Sequence, residues 1–422
     1  MENCNRRTID ILNKQQLLKI AKKLQIKGYS KMRKEDLKNA ILTALKNNNH
    51  TKSAISNPTI NKSISNYNST VGCLFPKVNR LVAIGDIHGD LSVAIKSLKL
   101  AGVINLSVPN NSVNVNDIEW KGGNTFIVQI GDQIDRVRPS NWNNDSICDS
   151  NDSELYQDEG SDLKIFSLFE NLHKQAQKYG GAVLSLLGNH ELMNVVGDFR
   201  YVSPNEFREF GNFFNAKKTL KRYGTYPFGY KERKEVFKPG GILAKKLALT
   251  RYSILQVGSW IFVHGGVSPE LAKKFTLDEI NSNIRSWLLG NKDSDIKRAV
   301  NELFHNDDDT RSPFWCRIYS DPEDWDNSDG RQSFYKALNF LNIKNKRTET
   351  DKIKGMIMGH TPQYMYNKGI NSECNGKLWR IDIGASRAFG LLNPENGDDI
   401  SNRKVQVLLI QNDEQCRIIK EK

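Results

Sequence analysis

Five short polar blocks, each closing a short apolar run, constrain this chain more than any other feature of it. They are Gly85-Asp86-Ile87-His88-Gly89-Asp90, Gly131-Asp132-Gln133-Ile134-Asp135-Arg136, Gly188-Asn189-His190-Glu191, His264-Gly265-Gly266 and Gly359-His360-Thr361-Pro362. The runs before them are Leu81-Val82-Ala83-Ile84, Phe126-Ile127-Val128-Gln129-Ile130, Val183-Leu184-Ser185-Leu186-Leu187, Trp260-Ile261-Phe262-Val263 and Met356-Ile357-Met358. Unbroken apolar runs bounded by glycine read as central strands buried on both faces. The amphipathic segments 91–101 and 162–179 read as helices that follow two of them. Strand, loop and helix in succession predict the α/β class, with polar side chains gathered where the strands end. Glycine at each strand end lets the chain turn sharply there.

With 422 residues the chain can hold a large catalytic domain and an accessory module. The six cysteines are scattered, with no Cys-x-x-Cys pair, which fits a reducing compartment and no disulfide framework. No apolar run approaches the roughly 18 residues that cross a bilayer. The first residues lack the apolar core of a secretion signal. The expectation is an intracellular protein, cytoplasmic or nuclear, neither secreted nor in the membrane. The net charge is +13, and residues 1–46 contribute +8 of it. A polyanionic partner is therefore expected for that short piece alone.

Within 13–46, Leu17, Ile20, Ala21 and Leu24 recur at helical spacing, as do Leu37, Ala40, Ile41 and Leu45. The turn Lys27-Gly28-Tyr29-Ser30 separates the two helices so predicted. This pattern resembles the SAP and Rho-N-terminal helix-extended-helix modules, which implies a small all-α module over 1–46 and nucleic acid as its partner. Residues 47–78 are largely Asn/Ser/Thr-rich and read as a flexible linker. The catalytic domain is expected over 79–412, with a polar surface insertion at about 138–161.

The blocks carry metal chemistry. In Asp86-Ile87-His88 the i, i+2 spacing lets a carboxylate and an imidazole leave one side of an extended segment. That pair suits manganese, iron or zinc. Asp132 ends the next strand and can bridge two ions, while Asn189, His264 and His360 are neutral ligands suited to the second ion. Two ions roughly 3.5–4 Å apart serve phosphoester hydrolysis, and a water between them loses a proton near neutral pH. His190 follows directly on a ligand, and neighbouring side chains of an extended segment diverge, so it is placed to protonate a leaving alkoxide. Asp135 can orient its imidazole, and Arg136 can hold two phosphate oxygens in its planar fork. A single such block would carry little weight, but five in one order do not arise from core histidines. His305 sits before the acidic Asn306-Asp307-Asp308-Asp309 and reads as part of a solvated loop. His173 lies within an amphipathic helix and reads as structural, and His50 lies in the linker.

In this order, Gly-Asp-x-His-Gly, Gly-Asp-x-x-Asp-Arg, Gly-Asn-His-Glu, His-Gly-Gly and Gly-His resemble the calcineurin-like metallophosphoesterases. More narrowly, they resemble the phosphoprotein phosphatase group and its bacterial-type, Shewanella-like branch, over about residues 79–390. The resemblance implies a β-sandwich flanked by helices and two divalent ions, manganese before iron or zinc. It implies Asp86, His88 and Asp132 on the first ion, and Asp132, Asn189, His264 and His360 on the second. It implies His190 with Asp135 as the acid pair and Arg136 as a phosphate clamp. The chain departs from the eukaryotic members of the group after Arg136, where Val137-Arg138-Pro139 stands in place of their glycine. A second phosphate arginine is expected at Arg317, in Trp315-Cys316-Arg317, with Arg387 as the alternative. The function expected is phosphomonoester hydrolysis, with phosphoserine or phosphothreonine in a protein as the leading substrate. A nucleotide or dinucleoside-polyphosphate hydrolase is the first alternative. A nucleic-acid-binding protein with an accessory phosphatase domain is the second.

Overall fold

A computed structural model describes residues 21, 32–40, 72–110, 113–138, 158–214, 228–305, 309–322, 329–389 and 403–422. The chain divides into two compact units, residues 1–70 and 71–422. In the first unit residues 34–40 are helical and Leu37 is buried, as the second expected helix requires. Ala21 is helical and buried too, and the turn at 27–30 lies outside the described residues.

The second unit contains two six-stranded sheets. One runs β12 (Gln415–Lys420), β11 (Gln406–Gln411), β2 (Arg80–Ile84), β3 (Phe126–Gln129), β4 (Ala182–Leu186), β5 (Arg251–Tyr252). The other runs β1 (Leu74–Phe75), β6 (Ile254–Val257), β7 (Trp260–Val263), β8 (Gly355–Met358), β10 (Leu378–Arg380), β9 (Asn371–Glu373). Strands β2, β3 and β4 pair in parallel, and so do β7, β8 and β10. Two parallel trios therefore deliver six loops from their C-terminal ends.

The apolar runs are continuous because both faces of these strands are covered. Leu81, Ala83, Val128, Leu184 and Leu186 join Ile261, Val263 and Met356 of the other sheet in one core. The alternate residues Val82, Ile84, Ile127 and Val183 pack with helices α1 (Leu91–Leu100) and α2 (Asp162–Ala176). The period of two thus separates the core between sheets from the core beneath helices. Asp90 caps α1, its carboxylate accepting from the backbone N–H groups of Ser92 and Val93.

Both expected boundaries of this domain move outward. Residues 72–78, assigned above to the linker, belong to the domain, because β1 pairs with β6 and Cys73 is buried. At the other end β12 forms a hairpin with β11 beyond residue 412. Asn412 and Asp413, both at positive φ, make its turn. The Asp413 carboxylate accepts from the backbone N–H of Ser259, and its carbonyl accepts from Trp260 Nε1 at 3.1 Å, so this turn ties one sheet to the other. Residues 139–157 of the expected insertion lie outside the described residues. Among the described residues no helix is long and apolar enough to cross a membrane.

Candidate active site

The parallel strands aim the polar blocks at one rim. Asp86 and His88 follow β2, and Asp132 and Asp135 follow β3. Asn189 and His190 open helix α3 (Asn189–Val196) just after β4, while His264 and His360 follow β7 and β8. His88, Asp132, Asp135 and His360 all adopt positive φ, between 46° and 73°. Left-handed backbone in four non-glycine residues is strain, and strain of this kind collects where side chains must converge. Two glycines make room for the carboxylates. A Cβ on Gly188 would lie 2.0 Å from Asp132 Oδ1, and one on Gly359 would lie 2.3 Å from Asp86 Oδ1. Buried Glu191 locks the second and third loops together. Its carboxylate accepts from the N–H groups of Asp132, Gln133 and Gly188 at 2.7–3.0 Å.

Asp132 stands at the centre. Its Oδ2 lies 3.8 Å from His88 Nε2, 3.8 Å from His190 Nε2 and 3.2 Å from His264 Nε2. Donor atoms within 4.8 Å of one another form three buried groups: His88, Asp132 and His190; Asp132, His264 and His360; and Asp86, His88 and Asp382. Asn189 Oδ1 lies 2.9 Å from His264 Nε2, so the amide joins the second group. His264 Nδ1 sits 3.0 Å from the Ile130 carbonyl, which fixes the ring with Nε2 toward the cluster.

This donor set fits divalent cations. Asp86 Oδ1, His360 Nε2 and Asp382 Oδ2 are buried atoms without a hydrogen-bond partner, the kind of orphan that burial makes costly unless a ligand satisfies it. Burial holds the imidazoles of His88 and His360 well below their usual range, helped by Arg138 and Arg317 respectively. They are neutral, the form that ligates. Burial, then Asp382 and Asp132, pushes Asp86 well above the ordinary carboxylate, and burial pushes Asp382 up to about 6. Carboxylates crowded in this way are relieved by a cation.

Next to the cluster lies a second assembly, whose members bond to one another. His190 Nδ1 is 2.8 Å from Asp135 Oδ2. Asp135 also accepts from Asn194 Nδ2 at 2.9 Å and from Arg233 Nη2 at 3.2 Å. Arg233, on helix α4 (Tyr230–Phe237), is itself wholly buried; it donates to Asn194 Oδ1 at 2.7 Å and pairs with Asp162 at 2.7 Å. Nδ1 is thereby committed to Asp135, and Nε2 faces the cluster.

The arginines are placed differently from one another. Arg136 is buried, with its Nη2 3.5 Å from Asp90 and 3.7 Å from Glu159. Arg387 holds the same two acids, with Nε 2.9 Å from Asp90 Oδ2 and Nη2 2.9 Å from Glu159 Oε1. Arg317 is exposed, and its Nη1 donates to Thr361 Oγ1 at 2.7 Å, beside His360. The structure thus gathers Asp86, His88, Asp132, Asn189, His264 and His360 with the His190–Asp135 pair, and sets Arg317 at their edge. It keeps Arg136 and Arg387 on Asp90 and Glu159. His173 Nδ1 accepts from the Val183 N–H at 3.1 Å, a structural bond. His305 packs against Trp287 and Phe304; the acidic residues 306–308 after it lie outside the described residues.

Sequence reasoning passed over three residues. Asp382 sits two residues beyond the three-residue strand β10, and its only signal is a lone Asp between isoleucines before Gly384. Arg233 is surrounded in sequence by Lys231, Glu232, Lys234 and Glu235, which reads as surface. Arg138 was counted with the polar insertion, yet its Nη2 lies 2.9 Å from His88 Nδ1.

A family model described as the calcineurin-like phosphoesterase matches residues 79–364, and one described as the Rho termination factor N-terminal domain matches residues 12–50. The chain is 38% identical over 269 residues to an uncharacterized protein of Acanthamoeba polyphaga mimivirus, covering 60% of this chain and 98% of that one. It is 30% identical over 348 residues to Shewanella-like protein phosphatase 2 of Arabidopsis thaliana, covering 76% of this chain and 75% of that one. A solved structure of a cold-active protein-tyrosine phosphatase from a psychrophilic Shewanella species aligns with a TM-score of 0.50 over 83% of each chain. At 18% sequence identity, that likeness is one of fold.

Proposed function

The chain belongs to the calcineurin-like phosphoesterases, hydrolases that use a dinuclear divalent metal centre, and from this premise we propose that it removes phosphate from phosphoserine or phosphothreonine in proteins. Asp86, His88 and Asp132 would hold one ion, and Asp132, Asn189, His264 and His360 the other, manganese before iron or zinc. When bound, such a pair supplies positive charge to the phosphoryl oxygens and an activated water.

The observation that carries the reading is the acid pair. His190 keeps Nδ1 on Asp135 at 2.8 Å, and Asn194 and Arg233 hold Asp135 in turn. An imidazole so oriented presents a proton at Nε2 to the leaving oxygen. Serine and threonine leave as alkoxides, which need that proton. Nucleoside di- and triphosphates and dinucleoside polyphosphates, cleaved at an anhydride, lose phosphates, which need it less. A buried support for a general acid therefore favours the alkoxide. Arg317, exposed beside His360, is the candidate to meet the phosphate from the other side.

A substrate panel tests this. Metal-loaded protein should cleave phosphoseryl and phosphothreonyl peptides with higher kcat/KM than diadenosine tetraphosphate. The reverse order would replace the proposal with the nucleotide hydrolase. Phosphotyrosyl peptides belong in the panel, since a phenolate needs less acid than an alkoxide.

For residues 1–46 the basic excess and the Rho-type match support a nucleic-acid partner. About three or four phosphate contacts give a log–log salt slope near roughly −3 on duplex DNA. Deleting residues 1–70 should remove that binding and leave turnover of small substrates intact. Equal binding by both forms would assign it to the catalytic unit.

A further inference from the structure

Two arginines that a phosphate could recruit are already charge-balanced. Arg136 and Arg387 both lean on Asp90 and Glu159, and Arg387 holds Asp90 through Nε and Nη2 at 2.9 and 3.0 Å. To clamp a phosphoryl group, either would have to give up a share of its pairing with buried Asp90 and partly buried Glu159, which is costly. Arg138 is in the opposite condition. Among the described residues no carboxylate oxygen lies within 4.0 Å of its guanidinium.

Its position is nevertheless fixed. The guanidinium lies between two rings, 4.9 Å from the centroid of Tyr201 and 4.8 Å from that of Phe389. Nη1 donates to the carbonyls of Val137 at 2.8 Å and Asp135 at 3.2 Å. That leaves Nη2 as the working end. It stands 2.9 and 3.1 Å from the two ring nitrogens of His88 and 3.4 Å from His190 Nε2. One nitrogen is therefore anchored to backbone, and the other points where the ligand cluster meets the acid. Tyr201 also packs edge-on against His190, and Phe389 against His88, so the rings that hold the arginine hold the site as well.

Charge then decides the ligand. A pair of dications and a guanidinium cannot share so small a volume unless an anion separates them. A tetrahedral dianion does so and matches the donor fork. We propose that Arg138 holds the phosphoryl group of the substrate from the His190 side, opposite Arg317, while Arg136 ties α1 to the site through Asp90. The proposal rests on the phosphoesterase reading above. It also gives a role to the sequence after Arg136, where Val137-Arg138 stands in place of the glycine of the eukaryotic phosphoprotein phosphatases.

The test uses full-length, manganese-loaded protein and three variants, Arg138→Ala, Arg138→Lys and Arg136→Ala. Metal content is measured by emission spectroscopy, and binding of inorganic phosphate by calorimetry. Losing a charge-assisted contact should weaken phosphate binding by about ten- to a hundredfold in Arg138→Ala, with metal content unchanged. Arg136→Ala should lose less. Arg138→Lys keeps the charge without the fork and should recover only part of the affinity. Should Arg138→Ala lose metal or melt early, the lysine variant decides: weaker phosphate binding at full metal content supports the proposal, and wild-type binding overturns it. Wild-type phosphate affinity in Arg138→Ala, or a larger loss in Arg136→Ala, overturns it as well. If wild-type protein neither binds phosphate nor cleaves p-nitrophenyl phosphate, the phosphoesterase reading fails, and this proposal with it. If wild type does both and only the Arg138 variants match it, the failure belongs to Arg138 alone.

Discussion

The two halves of the site are built on opposite terms. On one side, His190 Nδ1, both carboxylate oxygens of Asp135, the Asn194 amide and Nε and Nη2 of Arg233 are hydrogen-bonded within the protein. On the other, Asp86 Oδ1, His360 Nε2 and Asp382 Oδ2 are buried and bare. The first half is finished by folding and positions a proton without help. The second half is finished only by cations, and until then it stores the cost of crowded carboxylates and strained backbone. The two sides thus depend on different partners, and substitutions on them should have different signatures.

Asp132 belongs to both halves, since its Oδ1 accepts from the His190 N–H and its Oδ2 faces three imidazoles. Asp132→Asn should abolish turnover and lower metal content together. A variant with two bound metals and near-normal activity would erase the distinction. His190→Ala removes the finished half alone. We expect kcat to fall by about 10²–10⁴ with metal content intact. The loss should shrink for p-nitrophenyl phosphate, whose leaving group needs little protonation; equal losses on good and poor leaving groups would deny the acid role. Asp382→Asn strikes the bare half from a position that the resemblance does not assign. Metal affinity should fall by about 10–100-fold, as for partners that support ligands, while kcat at saturating metal changes less. Unchanged affinity would make Asp382 a spectator.

The smallest effect concerns the scaffold behind the acid pair. Glu209 accepts from the Leu163 N–H at 3.1 Å, and burial followed by Asp162 pushes its carboxyl from the ordinary 4.5 up to about 8. Because the folded value lies above the unfolded one, its contribution to stability is complete below the ordinary value and is lost as pH rises toward 8. Glu209→Gln should therefore gain in Tm relative to wild type between about pH 5 and pH 8. A difference that does not change with pH would mean that Glu209 ionises without cost.

The bare half was legible in the sequence to the extent that its ligands come in groups. Asp86 with His88, and Asn189 with His190, each put several chemical residues after a strand-like run, and the period-two burial of β2, β3 and β4 explains those runs. Asp382 escaped because one acid between Ile381 and Ile383 has the same outline as a loop beside the core. The finished half was legible only at its tip. Asp135 could be matched with His190, but Asn194 is a single amide in the apolar stretch 192–196, and the charged neighbours of Arg233 read as surface. Arg233 is inside because two buried carboxylates, Asp135 and Asp162, need its charge, and that demand exists only in three dimensions. The domain ends were misjudged for a similar reason, because β1 and β12 are short and become strands only by pairing.

The turn at Asn412-Asp413 has a bearing on how the protein is made. Leu81 of β2 pairs with Ile410 of β11, so one strand waits for another that is synthesised long after it. The Asp413 carboxylate then fastens Ser259 of the opposite sheet. The β2 edge stays open while the ribosome delivers the long segment between the two strands, and long-range closures of this kind are slow and expose strand edges meanwhile. A ribosome that stops before residue 403 would leave a chain that already carries its metal ligands but has no hairpin to cover that edge. Such products should be found with chaperones or in aggregates rather than as a truncated phosphatase.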